Sequence, residues 1–202
     1  MSTQLPSLLV GTRNPGKVRE IETILGDVPW SIRSLQEFSE LEVPAETGET
    51  YADNAVIKAR FYARATGICA LADDSGLEVE ALDGAPGVFS ARYAGAGASD
   101  GDRRTLLLSQ LAQVPAEQRD ARFVCAVAIA TPAGPVLNIS EGTCEGAIIF
   151  EPRGSGGFGY DPLFVPDGFT QTFAELSDVI KNQLSHRARA LLKTREFLLS
   201  KT

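Results

Sequence analysis

Two adjacent carboxylates close an apolar run at Cys69-Ala-Leu-Ala-Asp73-Asp74-Ser75-Gly76. Ile68 to Ala72 predicts a buried strand, and acids at the end of such a strand are costly unless a cation meets them there. Gly76 predicts a sharp turn that leaves both acids at a rim. In open α/β sheets the carboxyl ends of strands are where ligands bind. The pattern points to Asp74, with Asp73 beside it, holding a divalent metal on which phosphate chemistry is done. The same residues also read as a plain turn with an Asp or Ser cap.

Other stretches carry groups suited to the same chemistry. Gly11-Thr12-Arg13-Asn14-Pro15-Gly16-Lys17-Val18 lies between a predicted strand and helix, where backbone N–H groups and Lys17 make an anion site. Its spacing matches a phosphate-binding P-loop as far as the lysine. Val18 stands where such loops put the Ser or Thr that meets magnesium, and Pro15 removes a donor. A capped turn with an exposed lysine is the competing reading. Glu46, in an acidic loop, could complete a magnesium site with Asp74 or be a solvated loop glutamate. Asn54 and Lys58 share a helical face and could address phosphate together, or form an exposed pair.

In Gly156-Gly-Phe158-Gly159-Tyr160-Asp161-Pro162 the glycines allow close approach, the two aromatics could stack on a base, and Asp161 could accept a purine N1–H. Aromatics beside glycines are also ordinary turn packing. Ser185-His186-Arg187 at a helix start offers fixed donors, with Lys181 just upstream. His186 is the one histidine, which excludes a multi-histidine metal site, and no GxSxG elbow supports a serine triad.

These residues need elements to hold them. Ser7 to Gly11 predicts a first strand and Asn14-Pro15 a capped helix start, with Val18, Ile21, Ile24 and Leu25 as its apolar stripe. Trp30 to Leu35 predicts a strand, and Glu37 to Thr50 an irregular acidic loop. A helix from Thr50 to Thr66 buries Ala52, Ala55, Val56, Ala59, Tyr62 and Ala63 and sets Tyr51, Asn54 and Lys58 on a different face. Leu77 to Leu82 predicts a further strand. Ser99 to Gln113 predicts a helix with Asp100 and Asp102 at its positive end. Ala121 to Thr131 and Pro135 to Ile149 predict a hairpin about Pro132-Ala-Gly134. Helical sequence follows from about Ala174, with Ser185 capping the last helix. Strands and helices mix without strict alternation, which predicts an α/β fold: a mixed twisted sheet flanked by helices.

With 202 residues, 44% of them hydrophobic and 22% charged, the chain is long enough for one domain with a sizeable core. A net charge of -7 argues against nucleic acid as a partner, although a metal ion lets an acidic protein take a polyphosphate. No apolar run reaches membrane-spanning length, and Met1-Ser-Thr-Gln-Leu-Pro lacks the features of a signal peptide, so a cytoplasmic location is expected. Cys69, Cys125 and Cys144 read as buried thiols in a reducing compartment.

Taken together, seven ordered blocks resemble the inosine triphosphate pyrophosphatase family from about Leu8 to the last helix. They are Thr12-Arg-Asn-Pro-Gly-Lys17, Glu46-Thr-Gly48, Asn54-Ala with Lys58-Ala-Arg60, Ala72-Asp-Asp-Ser-Gly76, Gly84-Ala-Pro-Gly-Val-Phe-Ser-Ala-Arg-Tyr93, Gly156 to Pro162, and Ser185-His-Arg187. The resemblance implies a single elongated domain over 1–202, two-lobed with a central cleft, and a homodimer. It implies hydrolysis of the purine nucleoside triphosphates ITP, dITP and XTP to monophosphate and pyrophosphate with Mg2+. By position it assigns Asp74 as general base and metal ligand and Glu46 as a further metal carboxylate. Thr12, Arg13, Asn14, Pro15, Gly16, Lys17 and Ser75 become phosphate and substrate contacts. Phe158, Gly159, Tyr160, Asp161, Lys181, His186 and Arg187 become the nucleotide pocket. The family varies between glycine and arginine where Arg13 stands, which gives Arg13 no specific role.

Asp73 ranks below Asp74, because neighbours on a strand face opposite ways. The expected mechanism is in-line attack of water, deprotonated by Asp74, on the α-phosphorus, with Lys17 and Lys58 stabilising charge on the phosphate oxygens. Donors at Ser185 to Arg187 would suit the 6-oxo group of hypoxanthine and xanthine. Guanine must be excluded at position 2. A P-loop nucleotide kinase and a non-catalytic purine nucleotide-binding module are the alternatives.

Overall fold

The computed structural model describes residues 5–201. The signal-peptide reading rests largely on residues 1–4, outside the described residues. The chain runs β1 (Ser7–Val10), α1 (Pro15–Leu25), β2 (Ser31–Ser34), α2 (Tyr51–Thr66), β3 (Cys69–Val79), α3 (Asp100–Gln110), β4 (Asp120–Ala130), β5 (Val136–Ile148), β6 (Phe164–Pro166), α4 (Asp178–Leu184) and α5 (His186–Leu199). One sheet has the order β2-β1-β3-β4-β5-β6. Strand β1 pairs parallel with β2 and β3, whereas β5 pairs antiparallel with β6, so the expected mixed α/β sheet is present. Among the described residues no helix is long and apolar enough to cross a membrane.

The chain divides into two compact units, the first made of residues up to Asp74, Cys125–Gly142 and residues from Arg187 on, the second of Ser75–Val124 and Thr143–His186. In the first, Leu8, Val10 and Leu71 pack with Ile21 and Leu25 of α1 and Ala190, Leu191 and Leu198 of α5. Helix α2 covers the opposite face with Ala55, Ala59, Tyr62 and Ala63. There Gly11 is needed for space, because a Cβ on it would sit 2.7 Å from the Tyr62 ring. In the second, Leu77 and Val79 of β3 pack with Leu107, Phe123, Phe164 and Phe173.

Sequence-readable caps set the helix ends. Asn14 Oδ1 accepts from the Gly16 and Lys17 N–H groups, with Pro15 in the first turn. Thr50 and Asp53 cap α2 reciprocally, and Gly67 closes it at φ 71°. Ser99 and Asp102 do the same at the start of α3.

Three expectations need correction. Strand β3 does not end at Ala72: it runs unbroken through Asp73, Asp74, Ser75 and Gly76 to Val79, and a short 3-10 turn, Glu80–Leu82, replaces the rest of the next expected strand. Turn-forming composition is overridden because cations on both faces receive the acids. Tyr51, Asn54 and Lys58 do not lie on a different face of α2 from its buried residues. They are buried in one stripe with Ala55, Ala59, Tyr62 and Ala63, while Ala52 and Val56 are only half-buried. Part of the acidic loop is also regular, since Leu35–Phe38 forms a 3-10 turn capped by Ser34 and Glu37.

Candidate active site

Successive side chains of β3 point to opposite faces, so Asp73 and Asp74 meet different helices. Asp74 faces α2. Its Oδ1 accepts from Lys58 Nζ at 2.7 Å and its Oδ2 from Asn54 Nδ2 at 3.3 Å. Lys58 Nζ also donates to Glu46 Oε1 at 2.7 Å, so one ammonium ties two carboxylates. Glu46 is the more accessible, its side chain 24% exposed against 9% for Asp74. The loop carrying Glu46 is held where the Gly48 N–H donates to Asn54 Oδ1 at 2.8 Å. A Cβ on Gly48 would lie 2.5 Å from Asp53 Cβ, so only glycine permits that approach. Burial raises the Asp74 pKa from its ordinary value, and the opposing pull of Lys58 does not cancel it. Burial works to lower the pKa of Lys58, but Asp74, Asp73 and Glu46 outweigh it and keep the amine charged.

Asp73 faces the other way, onto α1 and α5. Its Oδ2 accepts from Lys17 Nζ at 2.9 Å and from Arg187 Nε at 3.2 Å. Arg187, 2% exposed, also pairs with Glu20 at 2.6 Å. Burial alone would raise the Asp73 pKa, but Lys17, Arg187 and Lys58 hold it well below the usual range. Cys125 lies beside this group with its Sγ 4.0 Å from Asp73 Oδ2, and burial together with Asp73 pushes its thiol up to about 12.

The loop before α1 is built differently from a P-loop. The Gly16 and Lys17 N–H groups, which such a loop would turn on phosphate, donate to Asn14 Oδ1 at 2.9 and 3.2 Å. Thr12 Oγ1 accepts from the Asn14 N–H at 3.2 Å. Arg13 reaches away to the carbonyls of Ser39 and Leu41, at 3.0 and 2.7 Å, and so fastens the loop after β2. Asn14 and Pro15 are exposed, Thr12 and Gly16 half-buried.

The second unit holds its own constellation. Asp161 Oδ2 accepts from Lys181 Nζ at 2.7 Å and from the Phe158 N–H at 2.8 Å. The same ammonium stands 4.9 Å from the centre of the Phe158 ring. The Gly159 N–H donates to Asp100 Oδ2 at 2.7 Å, and Arg104 donates to the Gly159 carbonyl at 2.7 Å. Tyr160 is buried with its hydroxyl on the Ser90 carbonyl at 3.0 Å, so it is a core residue, whereas Phe158 is half-buried. His186, which the sequence predicts as a helix-start donor, is buried and stacks on Phe123 at 4.6 Å. Ser75, half-buried on β3, and Ser185, buried before α5, belong to this unit by chain position.

The match to known proteins is extensive. A family model described as the Ham1 family covers residues 8–197. The chain belongs to the Ham1 family. It is 50% identical over 191 residues to the dITP/XTP pyrophosphatase of Desulforamulus reducens, covering 95% of this chain and 94% of that one. It is 48% identical over 186 residues to the protein of that name from Exiguobacterium sibiricum, covering 92% and 93%. Among solved structures, a HAM1 protein from Coxiella burnetii superposes with a TM-score of 0.88 at 40% identity, over 98% of this chain and 100% of that one. A nucleoside-triphosphatase / dITP/XTP pyrophosphatase from Mycobacterium abscessus gives 0.75 at 45% identity, over 93% and 98%.

In this Ham1 chain, sequence reasoning missed several groups. Glu20 lies three residues after Lys17 on α1, a helical spacing that could have put it beside the same site. From the sequence Asp100 complements a helix dipole, yet one of its oxygens holds Gly159, 59 residues away. Neither Phe123 behind His186 nor Ser90 behind Tyr160 leaves any local signal. Among the described residues no group of three or more His, Cys, Asp or Glu is arranged to hold a metal ion. Glu46 and Asp74 are hard oxygen donors joined by a cation, which fits an ion of the magnesium type. Such ions take one or two carboxylates and fill their remaining positions with substrate phosphates and water.

Proposed function

We propose that this Ham1 protein hydrolyses inosine and xanthosine triphosphates, dITP included, to the nucleoside monophosphate and pyrophosphate. The observation that carries the reading is the Lys58 ammonium tying Asp74 to Glu46 beneath a loop held by Gly48. Two carboxylates gathered around a cation, with the Lys17–Asp73 pair on the opposite face of the same strand, suit a polyphosphate handled with a divalent ion. Relatives about half identical to this chain carry the name dITP/XTP pyrophosphatase, which supports the substrate class.

Asp74 is the general base. Its raised pKa makes it a stronger proton acceptor than an ordinary carboxylate, and Asn54 fixes the orientation of its Oδ2. It takes the proton from a water attacking the α-phosphorus. Lys58 and Lys17 supply positive charge to the non-bridging oxygens as the anhydride breaks. Asp74 and Glu46 would hold magnesium, which when bound neutralises the triphosphate and the departing pyrophosphate. Thr12 to Gly16 and Ser75 are assigned to substrate contacts, Arg13 only through the loop it fastens.

Phe158, Gly159, Asp161, Lys181 and the start of α5 handle the base. Phe158 is assigned to stack on the base, and Asp161, held by Lys181, is assigned as the acceptor for a purine N1–H. Two nitrogens of the Arg187 guanidinium are engaged by Asp73 and Glu20, and the segment Ser185 to Arg187 is assigned to the 6-oxo group. Tyr160 contributes by packing.

We assign the chain as one functional domain, a homodimer, and a cytoplasmic enzyme; the last is supported by Cys69, Cys125 and Cys144 being thiols, suited to a reducing compartment. The kinase alternative is weakened by the Asn14-capped loop, whose amides are turned inward. Incubation with ITP and Mg2+ decides among the readings: IMP and pyrophosphate are expected, IDP would indicate a γ-phosphate enzyme, and unchanged ITP a binding module. With Asp74→Asn, near-full turnover at saturating Mg2+ would remove the base assignment.

A further inference from the structure

Resting on the reading of Lys17 as a triphosphate contact, we propose that Asp73 is a positioning residue, which fixes the Lys17 ammonium for the bond-breaking step and is not itself a metal ligand or a base. Lys17 sits in the first turn of α1, which contains no acid, at the end of the helix whose dipole repels a cation. A lysine there has a long flexible stem and every reason to swing into solvent. Instead its ammonium is 2.9 Å from Asp73 Oδ2, its side chain 18% exposed against 1% for the carboxylate. The buried acid is the anchor, and the cation is the part that reaches the surface.

The way Asp73 is bound supports positioning over simple stability. A carboxylate kept to neutralise Arg187 would take the guanidinium fork with both oxygens. Here Arg187 gives Nε to Asp73 and a terminal nitrogen to Glu20. Lys17 and Arg187 crowd onto the same oxygen, Oδ2, while Oδ1 is buried with no hydrogen-bond partner among the described residues. A bare oxygen lowers stability. The Glu20–Arg187 pair joins α1 to α5 one turn beyond Lys17 and so makes the anchor rigid. The adjacent acids therefore divide their work by strand alternation: Asp74 meets Lys58 on the α2 face and Asp73 meets Lys17 on the α1 face.

The test is steady-state kinetics with ITP and Mg2+ on Lys17→Ala, Asp73→Asn and the double variant, with thermal melts to establish that each is folded. An untethered Lys17 can still reach the ground-state phosphates but is misplaced in the transition state. Asp73→Asn should therefore lower kcat by about 10²-fold and leave KM for ITP nearly unchanged. In the Lys17→Ala background the same substitution should change kcat by less than about twofold, because nothing remains to be positioned. Equal losses in both backgrounds, or an Asp73→Asn enzyme with wild-type kcat, would overturn the proposal. Asp73→Glu keeps the charge and covers the case in which Asp73→Asn does not fold. Loss of kcat that disappears in the Lys17→Ala background supports positioning; a folded Asp73→Glu enzyme with wild-type kcat overturns it. Wild-type kcat and KM in Lys17→Ala alone would sink the reading of Lys17 as a phosphate contact, an outcome distinct from the others.

Discussion

At the scale of single residues the site is a balance of buried charges. Breaking one partner out of such a pair costs about 3–5 kcal/mol, because the other charge is left buried and uncompensated. Lys58→Met should therefore lower unfolding stability by about 3 kcal/mol in denaturant titrations without added metal. Mg2+ should recover part of that loss by binding the two abandoned carboxylates, with a smaller effect on the wild type. The pH dependence of Asp73 has a definite sign. Its pKa is lowered in the folded protein, so its contribution is complete above the unfolded aspartate value of about 3.9 and declines as the pH falls further. Melting curves of wild type and Asp73→Asn should keep a constant gap from about pH 5 to 8 and converge below about pH 4. A gap that widened in acid would contradict the ion-pair account.

At the scale of elements, what positions the site is strand alternation and close approach at glycine. Gly157 has a φ of 67°, and a Cβ on it would collide with Asp161 Oδ2. Gly157→Ala should displace Asp161 from Lys181 and raise KM for ITP by about tenfold with a smaller effect on kcat. Helix ends were legible in the sequence because caps are local: Asn14-Pro15, Thr50 with Asp53, and Ser99 with Asp102 all act within three residues. The continuity of β3 was not legible. Asp-Asp-Ser-Gly has turn composition, and the cations that make it tolerable on a buried strand come from three separate helices. The buried stripe of α2 was half legible: its alanines were evident, but Asn54 and Lys58 looked like surface residues until Asp74 supplied a reason to bury them. Asp73 and Asp74 stood out as a pair, yet no local pattern tells which lysine belongs to which acid.

At the scale of the molecule, a chain of net charge -7 takes a highly anionic substrate. Even around β3 the balance is unfavourable: Lys17, Lys58 and Arg187 face Glu20, Glu46, Asp73 and Asp74, one negative charge in excess. Added positive charge is required before a triphosphate can settle there, so EDTA should abolish turnover and Mg2+ should restore it. Turnover of ITP persisting in excess chelator would contradict the charge argument.

Asp74 is assigned to deliver water to the α-phosphorus. Hydrolysis of ITP by the Mg2+-loaded enzyme in water enriched in oxygen-18, followed by mass spectrometry of both products, tests it most directly. One heavy oxygen is expected in IMP and none in pyrophosphate. Label appearing in pyrophosphate, or release of labelled inorganic phosphate with IDP, would contradict it.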